Sequence, residues 1–319
     1  ASPFAYAPQG HIPSPRPDYE SCVLSPEPSD SCFCTVPPTY FGTIFLDVIV
    51  LDRRGQLESS DLYFDSLGNP VLNIADLDLA VEAGIRTGLI LTHPSGNDLV
   101  FEYFGIHSFE ESERRADPAG VTDVFFGQAG APLPTLTAEY SSILDSASFQ
   151  IRTRQSRRIA PISGVRYVQI DEQFNSMQDP TTRQGWFSHS DNDLFGYEFG
   201  LQGLLWQWGA VRLETTAKAG PYFNDVDVHV SLNPPGQTTM ITRHASHWHT
   251  AFVGDIRIGL VCQLGRRMNF RIGYDALWID GVALGPNQNN NISYTTNLVT
   301  VDLTDVLYQG GNIGFDLSW

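Results

Sequence analysis

Long apolar runs are missing from this 319-residue chain. Nowhere do about 18 apolar, uncharged residues follow one another, which excludes a membrane-crossing helix. Strands are not excluded, because a barrel strand interleaves apolar with polar positions and gives no hydropathy peak. Basic residues are scarce: 19 Lys and Arg stand against 36 Asp and Glu, a formal charge of −17. That balance argues against a nucleic-acid partner, whose phosphates demand cations. Enzyme signatures are absent too. There is no Ser-His-Asp order, phosphate-cradling glycine loop or HExxH, so the expectation is a non-enzyme with no cofactor and no metal site. Of the four cysteines, Cys22, Cys32 and Cys34 crowd into the first segment. Without four zinc ligands or a CxxCH, the expectation for an exported chain is an oxidised pair, Cys22 with Cys32 or Cys34, leaving one thiol over. Cys262, on an apolar strand face, reads as a small hydrophobe.

What the chain does have is a two-residue rhythm. From Leu307 to Trp319 one face carries Leu307, Gly311, Ile313, Phe315, Leu317 and Trp319, the other Tyr308, Gly310, Asn312, Gly314, Asp316 and Ser318. A strand that ends on an aromatic suits the closing strand of a barrel anchored at a lipid interface. About ten such segments occur, near 40–52, 77–92, 98–109, 140–153, 161–173, 192–206, 210–223, 248–264, 267–280 and 305–319. Long connections (53–76, 110–139, 174–191, 224–247 and 281–304) alternate with short ones at 92–97, 153–160, 206–209 and 265–267. The fold expectation is therefore all-β, a transmembrane antiparallel β-barrel of about ten strands with short periplasmic turns and long extracellular loops. A soluble up-and-down barrel would share some of this, but its loops need not alternate so regularly.

Residues 1–37 are rich in Pro, Ser and Asp and lack periodic apolar positions, so they read as an extended N-terminal arm before a barrel over 38–319. The chain opens on Ala1 without a charged and then apolar leader, which suggests an exported protein whose signal peptide has been removed. Arg152, Arg154, Arg157, Arg158, Arg266 and Arg267 gather at short turns, whereas Glu110, Glu111, Glu113, Asp191, Asp193, Asp225 and Asp227 fall in or beside long connections.

Alternate positions assign the facing. Phe252, Ile256, Ile258 and Leu260 oppose Asp255 and Arg257, and Met268, Phe270, Ile272 and Tyr274 oppose Arg271 and Asp275. Extended to the other strands, the rule lines a lumen with Asp47, Glu82, Arg86, Glu102, Arg166, Glu198, Arg212, Glu214, Lys218, Asp255, Arg257, Arg271, Asp275 and Asp316. A barrel of eight strands is filled by its own side chains, so one of about ten leaves little spare width. Long ionic side chains pairing across it predict a plugged or narrow passage.

Four stretches, GVRYVQIDEQF (Gly164 to Phe174), DNDLFGYEFGLQG (Asp191 to Gly203), RIGYDALWIDGVAL (Arg271 to Leu284) and GGNIGFDLSW (Gly310 to Trp319), resemble the beta-barrel porin-7 family of bacterial outer-membrane proteins. The resemblance implies an outer-membrane barrel and a porin label, and it brings no catalytic motif. Its expected partners are outer-membrane lipid and, through residues 1–37, another copy or an envelope protein. The functional expectation is porin-like, with a closed scaffold or a subunit of a larger cell-surface assembly as the alternative.

Smaller constellations carry two readings each. His244, His247 and His249 lie close together before a strand; His247 and His249 would share a face if that strand starts early, and two imidazoles on one face could hold a metal, the plain alternative being a polar edge beside an interfacial Trp248. His189, Asp191 and Asp193 resemble the carboxylate and histidine sets of outer-membrane proteases, the third functional alternative. Asp191 with Asp193, or Asp225 with Asp227, lacks a full calcium-loop pattern. Phe125 and Phe126 suggest a loop folded into the lumen or a contact surface.

Overall fold

The computed structural model describes residues 41–55, 61–65, 67–77, 79, 81–123, 133–154, 156, 158–179, 184–233, 240–293 and 298–319. The arm at 1–37, with Cys22, Cys32 and Cys34, lies outside these residues, as do Phe125 and Phe126. Cys262 is a free thiol.

Ten strands close a ring. They are β1 (Phe41–Gly55), β4 (Glu82–Thr92), β5 (Asn97–Asp123), β6 (Leu133–Thr153), β7 (Ile159–Asp179), β8 (Gln184–Trp208), β9 (Val211–Asn233), β10 (Ile241–Gln263), β11 (Met268–Val282) and β14 (Thr304–Ser318). Each pairs antiparallel with its neighbour in the ring, and β14 returns to β1 in an unbroken register from Thr43↔Ser318 to Gly55↔Val306. A hairpin of β2 (Asp61–Asp65) and β3 (Pro70–Asn73) hangs on the far end of β5, and β12 (Ile292–Ser293) pairs with β13 (Leu298–Val299) in the last connection. The short turns are built from residues that tolerate left-handed backbone: Gly96 has φ 91 and Gly209 φ 58.

On the half of the ring nearest those turns, apolar side chains point outward. Ile44, Leu46, Val48 and Val50 on β1, Phe195, Tyr197, Phe199 and Leu201 on β8, and Ile256, Ile258 and Leu260 on β10 are all exposed. Trp206, Trp208 and Trp319 mark the rim at the short turns, and Phe223, Trp248 and Trp278 the opposite margin.

The strands run much farther than their apolar-out segments. Residues expected in the long connections 110–139, 174–191 and 224–247 are largely strand, so these three are tall hairpins and not loops. Past the apolar belt the alternation continues with its polarity reversed. On β9, Val226, Val228, Val230 and Leu232 are buried inside, while Asp225, Asp227, His229 and Ser231 face out. The acidic residues Glu110, Glu111, Glu113, Asp191, Asp193, Asp225 and Asp227 thus sit on strands. The two remaining long connections fold into the open end. The first of them runs on to residue 81, because β4 begins at Glu82 and not at the expected 77; Leu62, Tyr63, Leu72, Ile74, Leu77 and Leu79 from it, and Ala283 and Leu284 from the last, join one core cluster with Phe109, Leu136, Phe174 and Trp186 of the wall.

Closure rests on a glycine. A Cβ on Gly42 would lie 2.1 Å from the Trp319 ring, and the Trp319 amide donates to the Gly42 carbonyl at 3.0 Å. Gly42→Val should evict the indole and weaken the β1–β14 seam by about 1–3 kcal/mol, the usual cost of overpacking. A lower urea midpoint for loss of the heat-modifiable gel band would register it; an unchanged midpoint would refute this role for Gly42.

Candidate functional site: the barrel interior

In the half of the ring inside the apolar belt, inward positions carry charge, and the charges meet. Asp47 lies directly across from Arg86 in the β1–β4 register; it accepts from Arg86 Nε at 2.8 Å and from Arg271 Nη2 at 2.9 Å. Arg86 reaches on to Asp275 at 2.9 Å, and Arg271 pairs with Asp316 at 3.0 Å. Arg166, 1 % exposed, donates to Asp255 at 3.0 Å and to Ser146 at 2.7 Å. Lys218 stands 3.4 Å from Glu198 and 3.5 Å from Asp255, and Gln150 donates to Glu198 at 2.7 Å. Arg257 grips Glu102 with both terminal nitrogens, one at 2.6 Å, and also touches Asp255 at 3.1 Å. β5 and β10 stand on opposite sides of the ten-strand ring, so the Arg257–Glu102 pair spans the bore.

Two of the expected residues pair apart from this lattice: Arg212 and Glu214 bond each other at 2.5 Å near a short turn. Glu82 lies at the other end of β4, opposite Leu51 in register. Nearest the short turns, the fully buried Asp98 takes Arg152 and Arg154, each at 2.7 Å, and Arg152 reaches Gln202.

An apolar layer of Ile49, Leu51, Phe104, Ile106, Leu144, Val168 and Leu277 covers the lattice. The Arg166 guanidinium lies 5.3 Å from the Phe104 ring centroid, tying the two layers together. Between them remains a cavity of about 20 Å³ lined by Arg86, Phe104, Asp255, Arg257, Asp275 and Tyr308, room for about one water.

Farther out, Glu172 organises a second polar centre. It pairs with Arg53, accepts from Tyr140 Oη at 2.9 Å and takes the Gly285 amide at 2.9 Å. Arg53 sits over the Tyr140 ring at 5.2 Å. The last connection is stitched down through its backbone. Ser190 Oγ and Asn192 Nδ2 donate to the Ala283 carbonyl at 3.0 and 2.9 Å, Asn192 Oδ1 takes the Ala283 amide at 2.8 Å, and Asn224 donates to the Gly281 carbonyl at 2.9 Å. Ser188 donates to the Gly285 carbonyl at 2.6 Å. Sequence reasoning missed Arg53, Asp98, Glu172, Asn192 and Asn224, although each shares its inward parity with a charged residue on its own strand.

The remaining constellations fall elsewhere. His189, Asp191 and Asp193 face outward on the wall of β8, beyond the belt. Burial pushes the Asp171 carboxyl beside them up, opposed by His189 and aided by Asp191 and Glu172. Because β10 starts at Ile241, His247 and His249 do share a face, with ring centroids 6.4 Å apart. His244 faces the other way and stacks on His229 at 4.4 Å.

No protein-family model and no curated protein sequence matches this chain. Among solved structures it is similar to the Ralstonia pickettii toluene transporter TbuX, at 9 % identity over 88 % of this chain and 89 % of that chain with a TM-score of 0.35. The Pseudomonas putida toluene transporter TodX gives 10 % identity, 88 % and 89 % coverage and a TM-score of 0.33. A Pseudomonas aeruginosa FadL homologue gives 7 %, 88 %, 90 % and 0.28. At such values the likeness bears on neither ligand nor activity.

The lattice predicts that Asp47→Asn, which strands Arg86 and Arg271 in a buried site, lowers unfolding free energy by about 3–5 kcal/mol. Chemical denaturation in detergent followed by tryptophan fluorescence measures this. A loss under about 1 kcal/mol, typical of exposed pairs, would contradict the buried reading.

Proposed function

We propose that this protein is an outer-membrane β-barrel on a porin-like plan whose lumen is shut at rest by its own side chains and by two inward-folded connections. It acts as a closed scaffold that carries a tall, rigid wall beyond the membrane. The reading assigns it no catalysis.

The observation that carries the closed reading is the Arg257–Glu102 pair across the full bore, seated under an apolar layer. An open aqueous pore needs continuous wetted width, and charges lining it would be solvated separately. Here the ions are consumed by one another. Support for the membrane comes from the belt. A ring of exposed Ile, Leu, Val and Phe far exceeds the apolar patch a water-soluble monomer shows, and aromatic residues flank it on both margins. Strands with their apolar side out and ions in suit hydrocarbon outside; the reversed section beyond suits water outside.

Two outcomes follow. Purified protein in planar bilayers should give no unitary current steps; discrete steps whose ion selectivity shifts in Arg257→Gln would overturn the closed reading. Ile258→Arg, in the middle of the belt, should cost about 2–4 kcal/mol of stability in lipid vesicles, read as a shift in the denaturant midpoint. Tolerance of that cation would count against a lipid-facing belt.

A further inference from the structure

Outside the belt, the wall of β7–β10 displays an ordered block of imidazoles and carboxylates that the closed-barrel reading does not use. Strand register builds it. Asp171, Asp191 and Asp227 are cross-strand partners in one row, and His189, His229 and His244 are partners in the next. Outward positions recur every second residue, so the two rows are adjacent on one surface. Their inward neighbours Ile170, Ser190, Val228 and Ala245 pack toward the interior, and the wall holds the outward side chains on a hydrogen-bonded sheet.

The donor atoms converge in two groups. In the first, His229 Nε2 and His244 Nε2 approach the same oxygen, Asp227 Oδ1, at 3.2 and 2.6 Å. In the second, His189 stands between two carboxylates, with Nε2 2.9 Å from Asp191 and Nδ1 3.4 Å from Asp171. Within each group the three ligand atoms lie inside 4.8 Å of one another.

Two further observations point to a cation. Asp191 is opposite both Asp171 and Asp227, and Asp193 is opposite Asp225. Like charges directly across a sheet repel, and among the described outward residues of this wall section, 169–177, 187–193, 225–231 and 242–248, there is no Lys or Arg to offset them. Also, Asp227 Oδ1 and His189 Nδ1 are shut off from solvent, and the contacts they make are with ligand atoms of their own groups, the His229 and His244 Nε2 atoms for one and an Asp171 oxygen for the other. Each is a donor atom of one of the two groups.

We propose that this wall binds divalent transition-metal ions of the zinc class at two adjacent centres, one held by Asp227, His229 and His244, the other by Asp171, His189 and Asp191. Imidazole with carboxylate is the ligand set such ions prefer, whereas calcium and magnesium select cages of oxygen. Three protein ligands leave the fourth position of a tetrahedral ion for water or for a donor from another molecule. The site requires only the folded wall and does not depend on whether the bore conducts.

The test is titration of tag-free, chelator-treated full-length protein in detergent with zinc, by calorimetry and by competition with a chromophoric chelator, and with cobalt, whose visible absorption reports tetrahedral geometry. Two equivalents should bind and persist in millimolar magnesium. The double variant His229→Ala, His244→Ala should lose one equivalent, and Asp171→Ala, His189→Ala the other. His247→Ala, His249→Ala should keep both, and all three should retain the heat-modifiable band of the folded barrel. No zinc binding, competition by magnesium, retention of both equivalents in the two site variants, or a loss in the His247, His249 control would overturn the proposal. A single equivalent abolished by either site variant would overturn the two-centre assignment.

Discussion

Ionised side chains withdrawn from water have to neutralise one another, and that requirement organises the interior of this barrel. Removing one partner from a buried pair leaves the other uncompensated, which costs far more than losing an exposed pair. Asp47, Arg86, Asp275 and Arg271 therefore form one connected set, and Arg257 spans the bore to Glu102. Backbone shape serves the same end. A Cβ on Gly314 would lie 2.0 Å from Asp47 Oδ1, so glycine opposite Asp47 is what lets the carboxylate lie flat toward Arg271.

One set of strands also serves two solvents. Inside the belt the alternation is apolar out and ionic in; beyond it the same parity turns apolar in and polar out. The hydrogen-bonded ladder passes through the change without a break on β9 and β10. The outer section thus resembles a water-soluble barrel with its own core, filled from above by the first and last long connections. The polar backbone of the last connection would be costly to bury unpaired, and Ser188, Ser190, Asn192, Asn224 and Glu172 supply its partners.

Much of this was legible in the sequence, and for a definite reason. Where the outer solvent is hydrocarbon, residues such as Ile256, Ile258 and Leu260 alternate with Asp255, Arg257 and Gly259, and both facing and strand count follow. The tall hairpins were not, because the expectation of apolar residues outside ends at the belt. A stretch such as Asp225 to Leu232 is a regular strand whose polarity is inverted, and its acidic half suggested a loop. Pairing across the bore was equally hidden, since Glu102 and Arg257 are far apart in the chain. Glu172 gave one usable signal, its shared parity with Arg166. The histidine row on β8–β10 was missed because register, not spacing, brings His189, His229 and His244 together.

The central claim is that the interior charges hold one another and not separate shells of water. A double-mutant cycle on Glu102 and Arg257, using Glu102→Gln and Arg257→Met with unfolding measured in lipid vesicles, tests it most directly. Mutual dependence predicts a coupling energy above about 1 kcal/mol, within the range found for residues in one ionic network. Additive losses, with coupling near zero, would mean that each charge is solvated on its own in a wet bore, and would contradict the account.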